Sequence, residues 1–180
     1  TSVMGLPLPL SAVQILYVNL ATDGLPALAL AVDPPDPDVM KRTPRKADTG
    51  IFTRPVVMLI VAGGLWSTVV NTSLYFWAMH TGKSVSEIMT IVFASLVLIQ
   101  FFKAYNFRSD RESIVKKPFR NRWLNIAIAW EITLILFVIY LPVLQRAFGT
   151  FSMTATDWCI VFGVSATIIP FLELCKAYLR

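Results

Sequence analysis

This 180-residue chain has few of the side chains that most enzyme chemistry uses. It contains one histidine, His80, and two cysteines, Cys159 and Cys175. That count excludes a Cys/His metal centre of the usual spacing. It also leaves no base beside a nucleophilic serine or cysteine. No glycine-rich loop capable of cradling phosphate is present, and no soluble stretch is long enough to form a nucleotide-binding domain. The chain therefore cannot hydrolyse a nucleotide by itself. Both cysteines fall in the last apolar stretch, ~24 Å apart on a helix. A disulfide cannot span that distance, so they read as buried free thiols. The sequence also lacks internal repeats and low-complexity segments. The opening Thr1-Ser2-Val3-Met4-Gly5-Leu6-Pro7 carries no basic stretch of the kind that starts a leader peptide, so the chain is expected to begin mid-protein.

Apolar residues are abundant. They make up 56% of the chain, and the mean hydropathy is +0.63. They come in long blocks rather than the short periodic stripes of a soluble domain. Five blocks reach the ~20 residues of helix needed to cross a hydrocarbon core, at about 10–32, 56–79, 86–105, 124–144 and 157–178. The expected fold is all-α: a polytopic bundle of five transmembrane spans forming one membrane domain over 1–180. Gly24 and Pro26 are expected to unwind the first span. Pro26 has no N–H to donate and its ring clashes with the preceding turn.

The net charge of +5 reports topology rather than a nucleic-acid partner. Fourteen of the 16 lysines and arginines sit in 33–55, around 103–123, or at the C-terminal end. Only Lys83 and Arg146 lie on the opposite side. This asymmetry places the N-terminus outside or in a lumen, and loops 33–55 and 106–123 and the C-terminus in the cytoplasm. The basic stretch Arg108–Arg122 suits anionic lipid headgroups, at ~1 kcal/mol per charge.

Against this background the polar residues inside spans stand out. Asn19, Thr22 and Asp23 are spaced i, i+3 and i+4, which on an α-helix puts an amide, a hydroxyl and a carboxylate on one face. A carboxylate at bilayer depth costs at least ~2.5–3.5 kcal/mol on insertion scales and is normally kept for an ion, a proton or a partner. A helix broken at that depth is a recurring device of transport sites; the alternative is a kink with Asp23 bonded to a neighbouring helix. Gln100 lies about one turn inside the cytoplasmic boundary of span three and either donates an oxygen to a site or hydrogen-bonds. Glu131 in span four is a second buried acid, suited equally to a structural bond and to a proton or cation role. Asn71 and Thr72 read as interhelical hydrogen bonds, and Ala62-Gly63-Gly64 as a close-packing face. Glu173 and Lys176 read as a local ion pair, and His80 as a solvated loop residue.

The run Leu8-Pro9-Leu10 through Gln14-Ile15-Leu16-Tyr17-Val18-Asn19-Leu20-Ala21-Thr22-Asp23-Gly24-Leu25-Pro26-Ala27, with Asp33-Pro34-Pro35-Asp36-Pro37-Asp38-Val39-Met40 and Arg42-Thr43-Pro44-Arg45, resembles a specific family. It is similar to the sixth transmembrane helix and following loop of P-type cation-transporting ATPases, most of all the calcium pumps. The resemblance covers the whole chain, which corresponds to helices six to ten of ten. It implies that Asn19, Thr22 and Asp23 are Ca²⁺ ligands and that Ca²⁺ is the exported ion, a cation that takes six to eight hard oxygens. It implies further ligands, a phosphorylated aspartate, and an ATP and Mg²⁺ site beyond this chain. The remaining helices and cytoplasmic domains of the pump would then be its partners, alongside lipid and without nucleic acid. A bacterial-type plasma membrane is the implied setting. Asp33, Asp36 and Asp38 fall in the loop that in this family couples the membrane domain to the phosphorylation domain.

Two departures bear on the ion. Gln100 replaces a glutamate found in two-site pumps and points to one Ca²⁺ per cycle. Glu131, which reticulum-type calcium pumps generally lack, keeps Na⁺ or H⁺ open. The alternatives are the same family moving Mn²⁺, Na⁺ or H⁺, and a membrane scaffold or regulatory subunit whose buried acids serve as glue.

Overall fold

The computed structural model describes residues 7–35, 40, 50, 52–108 and 119–179, without the side chains of Ala21 and Asp23. The described residues are mostly helical, with no strand among them. Five helical stretches are long and apolar enough to cross a membrane: Ala12–Ala31, Arg54–His80, Val85–Asn106, Arg122–Tyr140 and Ala155–Leu179. The expected all-α five-span bundle is therefore found.

Most helices start where the sequence supplies a capping side chain or a proline. Ser11 and Gln14 form a reciprocal capping box at the head of α1 (Ala12–Tyr17). Ser84 and Glu87 do the same for α4 (Val85–Asn106), as do Thr154 and Asp157 for α7 (Ala155–Ala166). In each box two backbone donors that the helix leaves orphaned find a side-chain oxygen. The Asn121 side chain caps α5 (Arg122–Tyr140). Proline occupies the first turn of α3 (Arg54–His80) and of the short α6 (Pro142–Phe148), where its missing N–H costs nothing. Gly149 ends α6 at φ 63°, a left-handed conformation that glycine adopts without penalty.

α4 is the axis of the bundle. It packs against α3, α5, α7, against α2 (Asp23–Ala31) and against α8 (Ile168–Leu179). Its residues from Ile88 to Phe101 are almost all buried. Gly63 lets α3 come close to both α4 and α8. A β-carbon there would stand 3.4 Å from Phe107 Cζ and 3.6 Å from Leu172 Cδ2. The Lys83–Asp157 ion pair, 2.9 Å, ties the α3–α4 loop to α7.

Two spans are irregular, each for a proline-related reason. In the first, residues Val18–Thr22 form a π-turn between α1 and α2. The helix then runs on through Gly24 and Pro26. The disruption thus lies one turn before the expected place and takes the form of widened winding rather than unwinding. Pro26 strips the Thr22 carbonyl of its i+4 donor, and the wider turn absorbs the mismatch. The last span is two helices meeting at Thr167, with Pro170 in the first turn of α8. Pro170 cannot donate to the Ala166 carbonyl, and the Thr167 N–H bonds the carbonyl of Val164 instead, at 3.3 Å.

Candidate ion-binding site

The π-turn is the one π-wound stretch among the described membrane helices, and polar groups gather on both sides of it. On its α2 side a cavity of about 270 Å³ opens between α2 and α4. Thr22 and Gln100 both line it, with Pro26, Ala27 and Leu30 along one wall and Ala104 and Phe107 along the other. Thr22 is buried, and its hydroxyl donates to the Val18 carbonyl one turn back. With its proton committed there, the Thr22 oxygen turns its lone pairs outward and can only accept or coordinate. Gln100 brings an amide oxygen from a second helix, and Lys103 lines the same space one turn further on. The sequence signalled Thr22 and Gln100, but counted Lys103 only as a topology charge.

Asn19 does not share this cavity. It is exposed, because a π-turn winds more slowly than an α-helix and the i, i+3 relation to Thr22 no longer aligns the two. Asp23 is the first residue of α2, directly after the π-turn. Its side chain lies outside the described atoms. Among described residues no three histidine, cysteine or acidic side chains cluster, so a cation here would rely on mixed oxygens.

On the α1 side of the π-turn, Glu131 is buried in α5 at 1% exposure, and its Oε2 has no hydrogen-bond partner among the described residues. The Tyr17 hydroxyl is likewise buried and unpartnered. The Glu131 carboxyl is a neighbour of that hydroxyl. The Tyr17 ring is held edge-on against Phe93 and Phe148, with centroids 5.3 and 5.9 Å away. Tyr17 was missed in the sequence because an aromatic in an apolar span reads as packing. Glu131 does not line the Thr22–Gln100 cavity, so these are two separate polar spots.

Just past the end of α2, Asp33 pairs with Arg108, whose Nε sits 3.1 Å from Oδ1 and 3.3 Å from Oδ2. Asp36 and Asp38 lie outside the described residues. Glu173 and Lys176 do pair, at 3.6 Å, but the buried Lys176 ammonium also donates to the Asn106 carbonyl at 2.5 Å, joining α8 to the end of α4.

Residues 7–178 match the family model described as cation transporting ATPase, C-terminus. The chain belongs to the P-type cation-transporting ATPases, as their C-terminal membrane domain. Relatives include the calcium-transporting ATPase of Bacillus subtilis, 42% identical over 91% of this chain and 18% of that protein. The endoplasmic reticulum calcium ATPase srcA of Aspergillus fumigatus is 32% identical over 98% of this chain and 21% of its own length. The calcium-transporting ATPase type 2C member 2 of Mus musculus is 31% identical over 99% and 19%. This ATPase domain thus spans about a fifth of the curated relatives it matches. With five apolar spans and this family, it is an integral membrane domain.

Proposed function

We propose that this domain carries part of the Ca²⁺ path of an ATP-driven pump that exports Ca²⁺ from the cytosol. The observation that carries the reading is the meeting of Thr22 and Gln100, oxygen donors from two helices, in one cavity beside a π-turn. In an otherwise apolar bundle such donors have little other use. The calcium-transporting names of the relatives point to the same ion.

Asn19, Thr22 and Asp23 supply an amide, a hydroxyl and a carboxylate, the hard oxygens Ca²⁺ takes. Further ligands come from helices of the pump outside this chain, and the exposed face bearing Asn19 is open to them. Gln100 adds a neutral oxygen where a carboxylate would draw a second divalent ion, consistent with one Ca²⁺ per cycle. ATP, Mg²⁺ and the phosphorylated aspartate belong to the cytoplasmic part of the protein. Asp33, Asp36 and Asp38 lie on the loop that passes its movement to α2. The basic side of the domain faces the cytoplasm in a plasma membrane, with the N-terminus outside.

The test is Ca²⁺-dependent phosphorylation of a complete pump carrying these residues. Asp23→Asn should abolish it at low Ca²⁺ while the protein still inserts. Retained phosphorylation there would reject Asp23 as a ligand. A second ion has one observation in its favour, the unpartnered Glu131 carboxyl beside Tyr17. Such a group suits a proton or Na⁺ moving within the same cycle, and competition between ions separates these from Ca²⁺ or Mn²⁺.

A further inference from the structure

The cytoplasmic end of α2 is held by three side chains from elsewhere in the chain. Arg108, just past α4, lays its Nε across both oxygens of Asp33, and the two side chains keep only 11% and 17% of their exposure. Asn121, itself buried, caps α5 by accepting from the Leu124 N–H at 3.0 Å. Its amide nitrogen at the same time donates 2.7 Å to the Ala29 carbonyl in the last turn of α2. Arg120 donates to the Pro35 carbonyl. These bonds join segments 75 to 92 residues apart in sequence.

The last carbonyls of a helix have no partner of their own and carry its negative pole. Asp33, two residues beyond Ala31, adds a carboxylate at that pole. Alone it would repel the helix end; Arg108 turns the repulsion into an attachment. α2 is nine residues long, about 13 Å by helical rise, and its other end starts at Asp23 beside the π-turn. A short stiff rod with a wide, weakly wound turn at one end is oriented by whatever grips the other.

We propose that Arg108, Asp33 and Asn121 form a clamp that positions α2, and that this clamp sets the affinity of the ion site at the far end of the helix. The three are positioning residues and touch no ion. The inference rests on the Ca²⁺ reading above. It also carries an asymmetry. Removing Arg108 leaves a carboxylate against the negative end of α2, whereas removing the Asp33 charge takes the repelling carboxylate away from that end. Arg108→Gln should therefore be worse than Asp33→Asn, and Asp33→Asn should repair much of the damage done by Arg108→Gln.

The experiment measures phosphorylation of the complete pump by ATP against free Ca²⁺ for the wild type, both single variants and the double variant. Arg108→Gln is expected to raise the half-saturating Ca²⁺ about five- to tenfold, the usual size of coupling between separated sites. Phosphorylation at saturating Ca²⁺ should stay near wild type, and the double variant should return to the Asp33→Asn value. An unchanged half-saturating Ca²⁺ in Arg108→Gln, or a double variant no better than that single one, overturns the clamp. A fall in saturating phosphorylation alone would mean a purely structural contact and also overturns it. If Arg108→Gln does not insert, Arg108→Lys keeps the charge but not the fork, and a shift of about two- to threefold that Asp33→Asn removes is required instead. A wild type with no Ca²⁺-dependent phosphorylation rejects the calcium reading itself, a result distinct from all of these.

Discussion

At the scale of single residues, the decisive feature is how few polar groups the bundle holds and what each has left to offer. Thr22 spends its proton on Val18 and keeps its oxygen. Replacing it by valine preserves shape and removes the donor. A bond to a charged group is worth about 1.5–3 kcal/mol, so Thr22→Val should raise the Ca²⁺ needed for half-maximal transport roughly ten- to a hundredfold, with Thr22→Ser close to wild type. A Ca²⁺ titration of transport checks this. Glu131 presents the opposite situation, a buried carboxyl with one oxygen unsatisfied. Such a group destabilises its surroundings, so Glu131→Gln should leave the melting temperature unchanged or higher while flattening the pH dependence of transport. A lower melting temperature with an unaltered pH profile would make Glu131 a structural residue. Both side chains were legible in the sequence, since a hydroxyl or carboxyl inside an apolar run is conspicuous. Tyr17 and Arg108 were not, because each acquires its meaning only from a partner far away in sequence, Glu131 and Asp33 respectively.

At the scale of elements, the helices and their starts follow from local rules, whereas the irregularities follow from competition between them. Ser11, Ser84 and Thr154 each precede their helix with a matching residue three positions on, and each forms the box that this spacing implies. Pro26 and Pro170 mark strain without saying how it is relieved. The first is relieved by a π-turn upstream of it, the second by a break at Thr167. The π-turn also moves Asn19 away from the face that an ideal helix would share with Thr22, which no sequence periodicity could foresee. The close approach of α3 to α4 and α8 at Gly63 gives a graded test. Gly63→Ala meets Phe107 at ordinary contact distance and should be near neutral, helped by the better helix propensity of alanine. Gly63→Leu must push those helices apart and should cost about 1–3 kcal/mol. Detergent-solubilised thermal unfolding of the pair distinguishes them.

At the scale of the whole molecule, α4 buries its length at the centre while the other spans keep broad apolar faces uncovered. Leu16, Leu20, Leu28, Val61 and Leu65 are all exposed. On the proposed reading, these faces meet lipid or further helices of the pump. Its orientation is testable directly. With exposed Cys159 and half-buried Cys175 replaced by alanine, a cysteine at exposed Thr81 should react with a membrane-impermeant maleimide from outside intact cells, and one at exposed Met40 only after the cytoplasmic face is opened. The reverse pattern would invert the topology and put the Thr22–Gln100 cavity toward the wrong compartment. The central claim is that Ca²⁺ passes beside the π-turn. The most direct measurement is ATP-driven uptake of radiolabelled Ca²⁺ into inside-out vesicles carrying the complete pump, wild type against Asp23→Asn. Uptake by the wild type and none by an equally inserted Asp23→Asn is the result expected. Equal uptake by both, or none by the wild type at any Ca²⁺ concentration, would contradict it.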